Sequence, residues 1–184
     1  MRLFVTKGFD HVTVAEVAAA AGVSEKTVFN YFPTKEDLFF DEVPARQQAL
    51  IDAVRNRKPG EGVLDALRSL QEKQVHRLSS PEFVHFARVI ENSPALKAKE
   101  LEVMSGFAHA LNYALAGEGI PERDARIVAS LLVSVHRQLF RTARELALAG
   151  KSGPVAVRRL RADSQRAFEL LEGGLGDLGF AHRS

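Results

Sequence analysis

Lys26, Thr27, Phe29, Asn30 and Tyr31 place an ammonium, two hydroxyls, an amide and two rings within six consecutive positions. Groups of these types bond phosphate oxygens and base edges. A helix surface made for solvent would favour Glu, Lys and Gln, so this face asks for a partner. Other chemistry is poorly provided for. The six histidines (11, 76, 85, 109, 136 and 182) form no i, i+4 pair and no H-E-x-x-H, and without cysteine a thiolate zinc site has no ligands. There is no G-x-S-x-G, P-loop or G-x-G-x-x-G, and no acid/base pair stands out. No catalytic residue, cofactor or metal is expected.

The elements that must hold these groups lie between residues 13 and 35. Thr13 and Glu16 form a capping box, so a helix starts at Thr13, with Val14, Val17, Ala18 and Ala21 on one apolar face. Gly22 stops it by taking the positive φ that a helix end commonly needs. Ser24 caps a second helix with Glu25 in its first turn, and Val28 and Phe32, four residues apart, face inward. Lys26, Thr27, Phe29, Asn30 and Tyr31 then face out. Pro33 disfavours helix at Phe32, and Thr34 with Asp37 repeats the capping box. Two helices joined by a few residues are what a helix-turn-helix requires, with the second helix in the DNA major groove. Capped helical hairpins also occur in many all-α proteins, so spacing alone leaves both readings open.

The stretch GFDHVTVAEVAAAAGVSEKTVFNYFPTKEDLF resembles the N-terminal signature of the tetracycline-repressor (TetR) family of bacterial transcriptional regulators. Gly8-Phe9, Thr13, Ala21-Gly22-Val23-Ser24, Thr27, Tyr31-Phe32-Pro33 and Lys35-Glu36-Asp37-Leu38 are in register, over about residues 3 to 43. The resemblance implies that Thr13, Lys26, Thr27, Phe29, Asn30, Tyr31 and Lys35 fall where family members touch operator DNA. Two departures stand out. Only MRLFVTK precedes Gly8, so the first helix is expected to be shortened to about its last two turns, with less packing around Leu3 and Phe4. Phe29 stands where a Tyr is common, which removes a hydroxyl that could bond a phosphate.

With 184 residues, 46% hydrophobic and 26% charged, the chain can bury a good core and has the composition of a soluble globular protein. No apolar stretch approaches the roughly 20 residues that span a bilayer, no leader pattern opens the chain and no cysteine asks for an oxidising compartment, so a cytoplasmic place is expected. Net charge is only +2, and residues 1–43 carry four bases against seven acids. That count argues against strong nonspecific DNA affinity, since each neutralised phosphate contributes through counterion release. Phosphate contacts would rest on Lys26, Lys35, hydroxyls and helix N-termini.

Beyond the head the chain reads as helices throughout. From Lys35 a helix runs to the Lys58-Pro59-Gly60 break, with Pro44 in its middle either kinking or splitting it. A kink there would help to set head orientation; the alternative is a simple surface bend. Residues 61–78 carry Val63, Leu67, Leu70 and Leu78 on one stripe, with Gln74 on that stripe and Gln71 at its edge. A Gln so placed is either satisfied by neighbours or aimed into a cavity. Phe83, Phe86, Ala87 and Ile90 follow helical spacing after Ser80-Pro81, and Met104, Phe107, Ala108, Leu111 and Leu115 share a face between 95 and 116. Such faces are core or pocket.

The longest helix covers about 122–149. Val128, Leu131, Leu132, Val135, Leu139 and Leu146 form one apolar face, and Ala129, Val133, His136, Phe140, Ala143 and Ala147 a second beside it. An apolar arc of roughly 200° is too wide for one neighbour, so one face is expected to meet its own subunit and the other a second copy. Arg126, Ser130, Arg137, Arg141 and Arg144 occupy the polar arc. A last helix follows Pro154, with Val157, Leu160, Phe168, Leu171 and Leu175 inward and Arg158, Arg159, Arg161 and Arg166 mostly outward, before Gly173, Gly174, Gly176 and Gly179. By resemblance, these two helices would build a four-helix dimer interface.

The expected fold is therefore all-α: a helix-turn-helix head over 1–43 and a helical ligand-binding and dimerisation body over 44–184. The expected function is a homodimeric, ligand-responsive regulator, most often a repressor in the family, that binds an inverted-repeat operator and is released by a small apolar or aromatic effector. Gln74, Phe86, Met104, Phe107, His136 and Phe140 are the candidate pocket residues. The alternatives are a helical dimer that binds a ligand or protein without DNA, and a helical-bundle enzyme.

Overall fold

Side-chain oxygens open five of the helices. Thr13, Ser24, Thr34, Ser80 and Ser93 each accept the N–H three residues on, and Thr13–Glu16 and Thr34–Asp37 are complete capping boxes. The computed structural model describes residues 1–174; the expectations for Leu175, Gly176 and Gly179 lie outside them. In order the elements are α1 (Arg2–Lys7), α2 (Val14–Ala21), α3 (Glu25–Tyr31), α4 (Lys35–Phe39), α5 (Val43–Arg55), α6 (Val63–Leu78), α7 (Pro81–Glu91), α8 (Pro94–Gly117), α9 (Glu122–Leu148) and α10 (Pro154–Gly173). Among the described residues there is no strand, and no helix is long and apolar enough to cross a membrane. Thr13→Ala, which removes one cap, is expected to cost about 1 kcal/mol in urea unfolding; an unchanged midpoint would mean that α2 does not depend on its box.

Pro44 splits the helix expected from Lys35 onward rather than kinking it. α4 stops at Phe39, the chain turns with the Val43 N–H on the Phe40 carbonyl (2.9 Å), and Pro44 lies in the first turn of α5. A first-turn residue has no intrahelical acceptor for its N–H, so proline is tolerated there.

Two apolar clusters fill the interior. The first joins head to body: Phe4, Phe9, Phe39 and Phe40 pack with Phe83, Phe86 and Phe140. Phe39 stands at its centre, with ring centroids 5.8 Å from Phe4, 5.8 Å from Phe9, 5.2 Å from Phe40 and 4.8 Å from Phe86, the last stacked. The short α1 therefore still buries Phe4, because Phe9 and Phe39 close over it. The second cluster gathers Val54, Leu67, Leu111, Leu115, Ala129, Leu132 and Phe168 from α5, α6, α8, α9 and α10.

The wide apolar arc of α9 is used within the subunit, contrary to the division expected from the sequence. α9 is the central helix, packed by α6, α7, α8 and α10, so Ala129, Phe140, Ala143 and Ala147 on its second face are buried in this chain. What stays open is an edge of the first face: Leu131, with Ile127 beside it, each about half exposed. Arg144, expected on the polar arc, turns to α8 and donates to the Glu100 carboxylate at 2.7 Å.

Candidate nucleic-acid interface and body cavity

Gly22 (φ 69°, ψ 28°) ends α2 with its N–H on the Ala18 and Ala19 carbonyls, and the Val23 N–H returns to the Ala18 carbonyl at 3.0 Å. A Cβ would be strained at that φ, so a side chain here would disturb the angle at which α3 leaves. Val28 is buried and pins α3 from beneath, which leaves Lys26, Phe29, Asn30 and Tyr31 exposed on its outer side. Tyr31 is 76% exposed and Phe29 47%, unusual for rings with nothing to cover them. Thr27 is half-buried, its hydroxyl 2.9 Å from the Ser24 Oγ, and Thr13 spends its hydroxyl on Glu16 at 3.1 Å.

Lys35 departs from its expected place on the DNA side. Its Nζ donates to the Phe9 carbonyl (2.9 Å) and the Val12 carbonyl (3.0 Å), and lies over the Phe9 ring. Carbonyls at the end of the α1–α2 loop need donors, and a lysine stem lying along Phe9 delivers one. Sequence reading also passed over Val23, an exposed apolar side chain at the mouth of α3. An apolar residue directly after the turn glycine was the available signal.

The acids of the head are largely tied down. Asp10 accepts from the Ser93 hydroxyl (2.7 Å), Asp37 pairs with Lys99 (2.9 Å), and Glu42 pairs with Arg46. Glu16 takes Lys7 at 2.6 Å, and that ammonium, followed by the Thr13 donors, holds the Glu16 carboxyl down at about 2. These four charges knit the head to itself and to the body, while Glu25 stands exposed in the first turn of α3.

A cavity of about 60 Å³ lies in the body between α5, α6, α8, α9 and α10, walled by residues such as Leu50, Leu67, Leu111, Leu132 and Phe168. Gln74, Phe107 and His136 line it as expected from their positions, and so do Gln71 and Arg46. Phe86, Met104 and Phe140 do not. Phe86 stacks on Phe39 and Phe140 stands edge-on to Phe83 (5.3 Å), so both belong to the head–body cluster, as does the buried Met104. Gln71, placed at the stripe's edge from the sequence, is the more buried of the two glutamines, because α9 and α10 both close over α6.

His136 sits on this cavity with its Nδ1 3.3 Å from the Gln71 Oε1 and its ring 5.6 Å from that of Phe107. Burial, reinforced by the Arg77 and Arg46 charges, pushes its pKa down to about 4, so it is neutral at pH 7. The folded value lies below the unfolded one of about 6.5, so the unfolded chain binds the extra proton first and stability falls as pH drops from about 6.5 toward 4. At pH 5 this group alone is expected to remove up to about 2 kcal/mol. Urea midpoints at pH 7.5 and pH 5 check this: the difference shrinks in His136→Gln, and an equal difference in both proteins would rule the histidine out.

The described residues thus set a capped helix-turn-helix, carrying exposed amide, ammonium and ring groups, on an all-helical body. Residues 1–41 match the model of the bacterial regulatory proteins of the tetR family. Over 109 residues the chain is 29% identical to the HTH-type transcriptional regulator TcmR of Streptomyces glaucescens, a match covering 55% of this chain and 48% of that protein. The matched stretch thus spans about half the length of that relative. Two solved structures share the fold: the fatty acid degradation regulator FadR of Bacillus halodurans (TM-score 0.56, 19% identity, 95% of this chain and 94% of that one), and a candidate TetR-family transcriptional regulator of Mesorhizobium loti MAFF303099 (TM-score 0.53, 20% identity, 92% and 89%).

Proposed function

We propose that the chain is a dimeric, DNA-binding transcriptional regulator whose body takes up a small apolar or aromatic molecule, with residues 1–43 as the DNA-binding head and 44–184 as the ligand-binding and dimerisation body. The observation that carries this reading is the outer side of α3, where Lys26, Phe29, Asn30 and Tyr31 stand exposed while Val28 fixes the helix from below. Thr13 and the α3 N-terminus would meet phosphates, and Lys35 would act on DNA indirectly, by holding the α1–α2 loop. The matched head and the name of the relative TcmR support transcriptional regulation.

Dimerisation has a candidate surface in the exposed edge of α9, with Ile127 and Leu131, and in Val155 at the start of α10. An isologous pair across this face would set two α3 helices on half-sites about one DNA turn, roughly 34 Å, apart. Within the body, Gln74, Phe107 and His136 would meet the effector, and a ligand that binds better to one head spacing than the other would release the operator.

The test is selection from random duplexes with the purified chain at moderate salt. An enriched inverted repeat is expected; recovery of no motif removes DNA binding and leaves a helical dimer that binds ligand alone.

A further inference from the structure

Where the cavity approaches the head, the polar groups are unequally matched. The Gln71 Oε1 faces the His136 ring, and the Gln74 Oε1 accepts from the Arg77 Nε at 3.0 Å. The Gln71 Nε2 and the Arg77 Nη2 are buried and have no partner among the described residues. Gln71 is only 7% exposed and lines the cavity. A buried donor without an acceptor is costly, and a buried guanidinium more so.

Charge is unequally matched too. Arg46 of α5 lines the cavity and also a second cleft of about 310 Å³ that it shares with Arg77 and Glu42. Arg77 feels desolvation first and then the Arg46 charge, which together take its pKa down to about 10, and the opposing carboxylate of Glu42 is already paired with Arg46. Two cations and one anion share this corner, while the walls beyond it are leucine, valine and phenylalanine.

We infer that the molecule taken up by the body is an organic acid: its carboxylate is held between Arg77 and Arg46, with the Gln71 amide as a further donor, and its apolar part lies in the adjoining cleft of about 310 Å³ with only its tip entering the small cavity. Guanidinium groups suit carboxylates because their donors form a planar fork. The inference rests on the proposed ligand-binding role of the body and specifies its chemistry. A carboxylate arriving at Arg46 competes with Glu42, the N-cap of α5, so binding loosens an ion pair within the first turn of that helix.

The test pairs acids with neutral isosteres, 2-naphthoate with 2-naphthamide and octanoate with octanamide, by calorimetric titration of the full chain at pH 7.5. In at least one pair the acid is expected to bind 10-fold or more tighter than its amide. Arg77→Gln brings that ratio close to 1, Arg46→Gln lowers it partway, and Glu42→Gln, which frees Arg46, raises it. Glu42→Gln keeps the test open should the variant at the half-buried Arg77 fail to fold. Acids and amides binding alike overturns the inference but keeps a ligand-binding body. No binding by any of the four overturns both, while the duplex selection still decides DNA binding separately.

Discussion

Phe39→Ala is expected to lower the unfolding free energy by roughly 3–5 kcal/mol, the range for removing a buried aromatic ring. Phe39 is 3% exposed, and four other rings lie within 5.8 Å of it by centroid. Three of them, Phe4, Phe9 and Phe40, belong to the head, and Phe86 belongs to α7. The hole would therefore open between head and body, where neither side can collapse without pulling the other. In a chain of this length each kcal/mol shifts the melting temperature by about 2–4 °C, so a fall of about 10 °C is expected. Limited proteolysis should then cut first near residues 33–43. A loss below about 1 kcal/mol would show that the ring cluster is not what joins the two parts.

The second large effect concerns affinity rather than stability. Asn30→Ala combined with Tyr31→Ala is expected to lower affinity for the selected duplex by about 100-fold or more, since a good base contact is worth about 1–3 kcal/mol and a dimer makes each contact twice. Both residues are exposed, so the melting temperature should stay within the small range of surface substitutions. A double variant that binds as well as the parent would place the DNA contact elsewhere than on α3. One that binds weakly because it melts early would point to a structural part for these side chains. Lys35→Gln offers the contrast: with its ammonium on the Phe9 and Val12 carbonyls, it should unsettle the head before it alters the salt dependence of binding.

Local chemistry made the head readable. A capping box needs only two residues three apart, and a positive-φ stop needs only a glycine, so α2, its turn and α3 follow from neighbours in the chain. Lys35 did not, because its carbonyl partners lie 23 and 26 residues away. Pro44 allowed either a kink or a break, and the choice fell to a turn made by Phe40 and Val43. In the body, periodicity gives the apolar stripe of a helix but not which neighbour covers it. Phe86, Met104 and Phe140 therefore looked like Phe107, although the head occupies the space beside them. The same limit misjudged α9, whose two faces meet four helices of one chain, and ranked Gln74 above Gln71.

The shared ring cluster also bears on modularity. A sequence boundary at residue 43 invites moving the head onto another body, as one cassette among many. In this chain the head's rings Phe4, Phe9, Phe39 and Phe40 are buried partly by Phe83, Phe86 and Val89 of α7. A segment of about 40 residues seldom folds without help from a metal, a disulfide or a partner. A transplanted head would thus carry an uncovered aromatic face unless α7 travelled with it. The unit that can be exchanged is the head together with its seat, so changes on the α3 face are tied to the helix that supports it.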